Sequence, residues 1–263
     1  MKLPLYWLDA FSSRQFHGNP AAVVPLDRWL DERTMQSIAA ENNLAETAFV
    51  VREPAGWHIR WFTPTVEMDL CGHATLASAH VVFEKLDPAA PSVTFASKSG
   101  PLVVTREGDR LCLEFPSRPA RPCEPPALMI EGLGIRPRET YLANDLLAVF
   151  DHEDQVRAII PKLDRLAAIE EARGVIVTAP GTDVDFVSRF FAPKVGVDED
   201  PVTGSAHCTL IPYWAGKLGR TTLRARQISP RGGELWCELR GDRVRMAGEV
   251  APYLEGTITI PSA

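Results

Sequence analysis

The chain has 263 residues, which is enough for one large domain or for two domains of ordinary size. An apolar fraction of 45% beside 24% charged residues is typical of a folded globular protein and argues against a disordered chain. Lys and Arg number 28 against 34 Asp and Glu, a net charge of −6. No basic surface that would bind nucleic acid or an anionic membrane is therefore expected.

The N-terminal segment MKLPLYWLDAF lacks the long apolar core and small-residue cleavage site of a secretory signal. No apolar run is long enough to cross a bilayer, so no membrane partner is expected. The five cysteines are odd in number and none forms a CxxC pair, which argues against a disulfide framework and a thiolate zinc site. These features predict a cytoplasmic protein.

In chain order, the first half predicts strands, a short helix, further strands and a second helix. LYWLDAF and AAVVPL are strand-like segments around the turn RQFHGNP. Asp31–Asn42 predicts a helix with Met35, Ile38 and Ala39 on one face. The strands TAFVV and WHIRWFT precede a helix of small and apolar residues, GHATLASAHVVFEKL, and the strands SVTFAS, PLVVTREG and RLCLEFP follow it.

The proline-rich stretch from Phe115 to Ala127 interrupts this pattern and predicts a linker between two lobes, because proline is excluded from helix interiors and central strands. Beyond it the order recurs. Strands near YLANDLLAVF, a helix near PKLDRLAAIEEA and the strands GVIVTAP and VSRFFAP lead to a second small-residue helix, TGSAHCTLIPYWAGKLG. The strands RARQIS, ELWCELR, RVRMAGEV and GTITI close the chain.

The two small-residue helices align as CGHATLASAH and TGSAHCTLIP, with Gly72 matching Gly204. These glycines are 132 residues apart, about half the chain, and strands surround the helix in both halves. The pattern predicts an internal duplication. Each copy is expected to be a β-rich unit wrapped round one helix, with the two helix N-termini facing each other across a cleft.

Both helix starts have features of a carboxylate-binding site. The first-turn N–H groups of a helix lack intrahelical partners and carry the positive end of the helix dipole. Gly72 and Gly204 have no Cβ to keep a ligand from the backbone, and Ser205 adds a hydroxyl. Ordinary helix starts are the alternative interpretation for either one alone, whereas the pair favours a clamp for a substrate carboxylate or oxyanion.

Three side chains near these helix starts can move protons: Glu46, His73 and Asp200. Apolar neighbours of Glu46 would partly desolvate its carboxylate, which suits it to general acid–base work. The alternative for Glu46 is an exposed acid beside a strand. His73 has the alternative of a helix cap, and Asp200, which precedes a proline, that of a turn and capping residue.

No metal site is predicted, because His73 and His80 are seven residues apart and no HxxxH or HExxH motif occurs. Nor does the chain contain a GxGxxG motif after a strand or a GxxxxGK[ST] loop. The chemistry is therefore expected to come from side chains, without a cofactor.

Four segments together resemble the PhzF-like family of phenazine biosynthesis. They are DAFSSRQFHGNPAAVV from Asp9, NNLAETAFV from Asn42, IRWFTPTVEMDLCGHATLASAHVVF from Ile59 and SRFFAPKVGVDEDPVTGSAHCTL from Ser188. They occur in family order, and the resemblance extends to the final GEVAPYLEGTITI.

The resemblance implies the α+β fold of diaminopimelate epimerase, with two pseudo-symmetric lobes that each have a barrel-like β-sheet around a central helix. The expected lobes are residues 1–115 with a C-terminal strand at about 250–263, and residues 116–249. The active site is expected in the cleft between them. A homodimer is also implied.

The function implied is that of a cofactor-independent isomerase that moves a proton on a small carboxylic acid, similar to trans-2,3-dihydro-3-hydroxyanthranilate isomerase. By motif position Glu46 is the acid–base residue, with His73 and Asp200 as further catalytic residues. Gly72, Gly204 and Ser205 are the implied substrate-binding residues; these three and the three catalytic residues match the family motifs.

Related epimerases use two cysteines, one at the start of each helix. Here the first place holds Cys71 but the second holds Thr203, whose hydroxyl is too weak an acid for that role. Cys71 is interpreted as a buried small residue rather than a nucleophile. The alternatives that stay open are an amino-acid or hydroxy-acid epimerase that uses Glu46 with another acid, and a non-catalytic binding member of the family.

Overall fold

A computed structural model describes residues 1–54 and 56–261. The chain divides into two compact units. Unit 1 comprises Met1–Glu114 together with the chain from Ala247 onward, and unit 2 comprises Phe115–Met246. Both units share a central order of two strands, a helical connection, two strands, a long helix and two further strands, and each unit is described by itself below.

Unit 1 is built from strands with two helices between them. The strands are β1 (Lys2–Ala10), β2 (Asn19–Leu26), β3 (Glu46–Glu53), β4 (Gly56–Phe62), β5 (Glu67–Met68), β6 (Ser92–Ala96), β7 (Leu102–Glu107), β8 (Arg110–Pro116) and, at the end of the chain, β17 (Val250–Thr259). The helices are α1 (Glu32–Asn42) and α2 (Gly72–Val81), and a π-helical turn, Val82–Leu86, continues α2.

Strand pairing in unit 1 alternates in direction. β1 and β2 are antiparallel, β2 and β3 are parallel, β3 and β4 are antiparallel, β4 and β6 are parallel, and β6 and β7 are antiparallel. Each parallel pair is joined through a helix, α1 in the first case and α2 in the second. Because a parallel connection must return the chain to the same end of the sheet, a helical crossover is the usual solution.

Unit 2 contains the remaining elements. Its strands are β9 (Arg121–Pro122), β10 (Glu139–Leu142), β11 (Leu146–Val149), β12 (Val175–Pro180), β13 (Phe186–Phe191), β14 (Thr222–Gln227), β15 (Gly233–Arg240) and β16 (Arg243–Gly248). Its helices are α3 (Ala127–Leu133), α4 (Glu153–Ala158), α5 (Leu163–Ala167) and α6 (Gly204–Leu218), with a 3₁₀ turn at Pro193–Val195.

The pairing pattern of unit 1 recurs in unit 2. β10 and β11 are antiparallel, β11 and β12 parallel, β12 and β13 antiparallel, β13 and β14 parallel, and β14 and β15 antiparallel. The helix between the second parallel pair is α6, so α6 holds the place in unit 2 that α2 holds in unit 1. The predicted duplication is confirmed, and the matched residues Gly72 and Gly204 are each the first residue of their helix.

Helix α2 is buried on every side, which explains its composition. The residues from His73 to Ala79 and Val81 are all buried, and most of their side chains are small. It packs on β1, β2 and β3 of its own unit. Small side chains let the strands approach the helix on all faces, whereas α1 buries only Met35, Ile38 and Ala39, the residues predicted from its periodicity.

Two short helices of unit 2, α3 and α4, were not predicted from the sequence, and the helix predicted over PKLDRLAAIEEA is reduced to the five residues of α5. All three pack into one apolar core with β11, β12 and β13. That core includes Met129, Leu133, Val156 and Leu166 from the helices. Helices this short are stabilised by packing rather than by propensity, so local pattern alone does not show them. No helix in the described ranges is both long enough and apolar enough to cross a membrane.

Candidate active site

A chain of three side chains lies at the start of α2 in unit 1. Glu46 is the first residue of β3, Cys71 is the N-cap of α2, and His73 lies in the first turn of that helix. His73 Nε2 is 3.0 Å from Glu46 Oε2, and His73 Nδ1 is 3.6 Å from Cys71 Sγ. The packing of α2 against β3 therefore brings Glu46 to one side of the imidazole while Cys71 lies on the other.

Burial and the close neighbours of these three side chains shift the pKa values of His73 and Cys71. The side chains of His73 and Glu46 are 7% and 15% exposed. Burial by itself would lower the pKa of His73, but the acidic groups on its two sides, Cys71 and Glu46, raise that pKa well above its ordinary value. Burial, reinforced by the Glu46 carboxylate, raises the pKa of the Cys71 thiol. Cys71 is therefore held as a thiol, and His73 is favoured in its imidazolium form beside Glu46.

The facing atoms of Glu46 and His73 are incompletely satisfied. Oε2 and Nε2 are both buried, and although they lie at ion-pair distance neither makes a hydrogen bond of good geometry within the described part of the chain. Buried polar atoms without such partners are rare in folded proteins and are concentrated at sites that bind a ligand or carry out chemistry. The pair is therefore the strongest candidate for a reactive centre in unit 1.

The same three residues are the types that bind metal ions. One ligand atom from each of Glu46, Cys71 and His73 lies within 4.8 Å of the others. The thiol and the carboxylate, however, approach opposite nitrogens of the imidazole, whereas ligands of one ion must converge on one point. The observed distances describe contacts on opposite edges of the His73 ring better than a metal-binding set.

In unit 2, Asp200 belongs to a polar network at the start of α6. The Thr203 hydroxyl donates to Asp200 Oδ2 at 2.5 Å. Gln227, which is fully buried on β14, accepts the backbone N–H of Thr203 at 2.9 Å and donates through Nε2 to the carbonyl oxygen of Asp200 at 2.7 Å. This network holds the loop that leads into α6 against the sheet.

Ser205, the second residue of α6, is contacted by a cation. Arg173 Nη2 donates to Ser205 Oγ at 3.0 Å. The same guanidinium makes a two-pronged contact with the buried carboxylate of Asp145, at 3.1 Å and 2.8 Å, and lies over the ring of Phe190. Arg173 is therefore held in place beside the hydroxyl that the sequence predicts to bind substrate.

Neither Cys71 nor Thr203 caps its helix with a side-chain hydrogen bond, although both have the extended backbone of an N-cap. First-turn N–H groups of α2 and α6 thus lack the usual side-chain acceptors. This is the property that the proposed carboxylate binding requires of Gly72 and Gly204.

The structure groups the predicted site residues into two sets. Glu46, Gly72 and His73 lie together in unit 1, and Asp200, Gly204 and Ser205 lie together in unit 2. Gln227, Arg173 and Asp145 were not predicted from the sequence as site residues. Gln227 left one signal: it is a polar residue in the inward row of β14, after Leu223 and Ala225, where an apolar side chain is expected. Arg173 and Asp145 left none, because both lie outside regular elements.

Comparison with known proteins identifies close relatives. The family model described as "Phenazine biosynthesis-like protein" matches residues 8–256. An uncharacterized isomerase of Pseudomonas aeruginosa is 52% identical over 258 residues, which cover 98% of this chain and 99% of that protein. The crystal structure of a phenazine biosynthesis PhzF-family protein of Enterococcus faecalis matches with a TM-score of 0.97 at 47% identity, covering 99% of this chain and 100% of that chain.

A more distant likeness concerns the fold alone. A hydroxyproline epimerase of Agrobacterium vitis matches with a TM-score of 0.63 at 11% identity, over 98% of this chain and 92% of that one. The predicted α+β fold of the diaminopimelate-epimerase type is confirmed, and the curated relatives support an isomerase-type enzyme. Because the family model and these close relatives align over almost the whole length, the chain belongs to the phenazine biosynthesis-like protein family.

Proposed function

We propose that this protein is an isomerase that moves a proton on a small carboxylic acid, with Glu46 as the acid–base residue and no cofactor. The observation that carries the proposal is the buried Glu46–His73 pair, whose facing atoms lie 3.0 Å apart and lack other partners among the described residues. A carboxylate beside an imidazolium, shielded from water, can accept a proton from carbon and return it.

The reaction needs no external electrons. The Glu46 carboxylate removes a proton from a carbon next to a conjugated system, and the electron pair of the broken C–H bond moves into that system. The resulting Glu46 carboxylic acid then protonates another carbon of the same skeleton, which restores the carboxylate and shifts a double bond. His73 supplies positive charge beside Glu46 throughout, so the carboxylate is stabilised in the buried site.

We assign substrate binding to Gly72, Gly204 and Ser205. Asp200 is assigned the role of stabilising charge or relaying protons. The helix starts without side-chain caps support the first assignment, since their N–H groups can donate hydrogen bonds to a carboxylate. The role of Asp200 in stabilising charge is supported by its place in the polar network with Thr203 and Gln227. The position of the site between the lobes, the homodimer and the cytoplasmic location stay predictions.

The two-thiol mechanism of related epimerases is not supported by this chain. Thr203 stands where the second thiol would be, and its hydroxyl already donates to Asp200 at 2.5 Å. Chiral analysis of the product separates the two reactions, because an epimerase gives a stereoisomer with unchanged connectivity. Thermal stabilisation by a carboxylic acid without any turnover would instead favour a binding protein.

The experiment is an NMR screen of small carboxylic acids in D2O with the purified protein, starting with trans-2,3-dihydro-3-hydroxyanthranilate. The wild type should introduce deuterium at carbon, and Glu46→Gln should slow this exchange by about 100-fold or more. Glu41→Gln, which changes an exposed glutamate on α1, is the matched control and should exchange at the wild-type rate. Undiminished exchange in Glu46→Gln contradicts the proposal.

A further inference from the structure

Cys71 contacts the side of His73 that faces away from Glu46. Its Sγ lies 3.6 Å from His73 Nδ1, while Glu46 Oε2 lies 3.0 Å from His73 Nε2. As the extended N-cap of α2, Cys71 is only two residues before His73, so the start of the helix holds the thiol and the imidazole together. Both residues are buried.

The number of donors on an imidazole depends on its charge. An imidazolium has two N–H donors, whereas a neutral imidazole has one donor and one acceptor. In a buried site, an N–H donor without a hydrogen-bond partner costs free energy, so the protonation state that has this donor becomes less favourable. A thiol can accept a hydrogen bond through sulfur or donate one through S–H. Cys71 can therefore pair with His73 Nδ1 in either protonation state.

We propose that Cys71 is a positioning residue that keeps a hydrogen-bond partner on His73 Nδ1 in both protonation states and thereby holds the imidazolium beside Glu46. This inference rests on the proposed role of Glu46 as the acid–base residue. With Nδ1–H bonded to the sulfur, the second proton is retained on Nε2, next to the carboxylate. Without Cys71 both protonation states lose this partner, but the charge-assisted bond of the imidazolium is the stronger one, so His73 should lose its charge at a lower pH.

Within the described part of the chain, the other charged groups on the elements packed against α2 make no hydrogen bond to His73 Nδ1. Among the elements packed against α2, β2 has no titratable side chain. On β1, the carboxylate of Asp9 accepts the backbone N–H of Phe16. On β17, Glu255 is paired with Lys85 of the π-helical turn. The remaining titratable residues on these elements are Lys2 and Tyr6 of β1, Arg52 and Glu53 of β3, Glu84 of the turn, His80 of α2 and Tyr253 of β17.

Besides its own burial, the groups that act most strongly on the pKa of His73 are Cys71 and Glu46, and both raise it. The Cys71 thiol itself stays protonated near neutral pH, because burial and the Glu46 carboxylate raise its pKa. It therefore serves as a neutral hydrogen-bond partner, which distinguishes this role from that of a thiolate base or nucleophile.

The test is a histidine titration by nitrogen-detected NMR, made without substrate on the full chain. Cys71→Ala and Cys71→Val remove the hydrogen-bonding sulfur, and the valine fills its space. In both variants the titration of His73 should move to lower pH by about one unit, a tenfold change in its proton affinity. Cys71→Ser retains a group that donates and accepts hydrogen bonds, so its His73 should titrate close to the wild-type pH. Cys112→Ala, a change at another buried cysteine of unit 1, should leave His73 unchanged.

The second readout is the pH profile of deuterium exchange into the substrate found in the screen. In Cys71→Ala and Cys71→Val, the high-pH limb of this profile should move to lower pH by the same amount as the His73 titration. An unmoved His73 titration in folded Cys71→Val overturns the inference, and so does a shift in Cys71→Ser as large as that in Cys71→Val. The proposed function fails on a different result, undiminished exchange by Glu46→Gln, so the two failures are distinguishable.

Discussion

Gln227 accepts the backbone N–H of Thr203 at 2.9 Å, deep in unit 2. Gln227 has no exposed surface, and its amide also donates to the carbonyl oxygen of Asp200 and to the hydroxyl of Thr203. One side chain of β14 thus binds both ends of the turn that leads into α6. The start of that helix is held by the sheet rather than by a capping side chain of its own.

Replacing Gln227 should therefore destabilise the protein. Gln227→Met keeps the volume but leaves the Thr203 N–H and the Asp200 carbonyl without partners, and we expect the free energy of unfolding to fall by about 2–4 kcal/mol. Urea denaturation followed by circular dichroism measures the change. Gln36→Met is the control, since Gln36 donates one hydrogen bond at a half-buried position. Equal losses in the two variants would contradict this account.

The loop before Asp200 depends on a buried ion pair. Arg189 makes two contacts with Glu199, at 2.7 Å and 2.9 Å, and also donates to the carbonyl oxygens of Val156 and Ile159. Glu199→Gln leaves the guanidinium of Arg189, which is 10% exposed, without its counter-charge. The free energy of unfolding should therefore fall by about 2–4 kcal/mol.

The control for the Arg189–Glu199 pair is an exposed ion pair of the same unit, Arg138–Asp151, whose side chains are 64% and 46% exposed. Asp151→Asn should lower the free energy of unfolding by less than about 1 kcal/mol in the same urea titration. If Glu199→Gln is as mild as Asp151→Asn, the pair does not stabilise the loop.

Stability should fall in mild acid because of His207. Burial lowers the pKa of this residue to about 4, whereas an exposed imidazole has a pKa of 6.5. Between these values the unfolded chain binds a proton that the folded chain does not, so the contribution of His207 is complete above pH 6.5 and is lost as the pH falls towards 4. The greatest loss from this residue is about 3 kcal/mol.

Urea titrations at several pH values between 4 and 8 measure this effect. His207→Leu should flatten the dependence relative to wild type, whatever its stability at pH 8. The exposed His152, replaced in the same way, is the control and should leave the wild-type slope in place. An unchanged slope in His207→Leu contradicts the assignment.

Gly18, in the turn between β1 and β2, should not tolerate a side chain. Its φ is +68°, and a Cβ at this position would collide with the carbonyl oxygen of Ala10. Gly108 has a similar φ of +59° with no atom within 4 Å of the same position. Gly108→Ala should cost about 1 kcal/mol of conformational strain, and Gly18→Ala about 2 kcal/mol more. Thermal unfolding of the two variants compares them, and equal melting temperatures would show that the turn adjusts.

Much of the architecture could be predicted from local patterns. The periodicity of Met35, Ile38 and Ala39 predicted the buried face of α1, and the two small-residue helices predicted the duplication. The proline-containing helix α6 was also predicted, because its first residues match those of α2. Short helices α3 and α4 were missed, since their stability comes from the core that they share with the sheet.

For the candidate site, the sequence by itself determined which residue types stand where: a glutamate at the start of a strand, and a glycine at the start of each duplicated helix. Motifs are local, so they identify such residues without showing what each side chain contacts. Only the tertiary structure decided that Cys71 and Glu46 lie on opposite sides of His73, and that Gln227 holds Thr203. The contacts of Glu46 with His73 and of Gln227 with Thr203 depend on how helix and strand pack, because they join residues 24 or more positions apart in the chain.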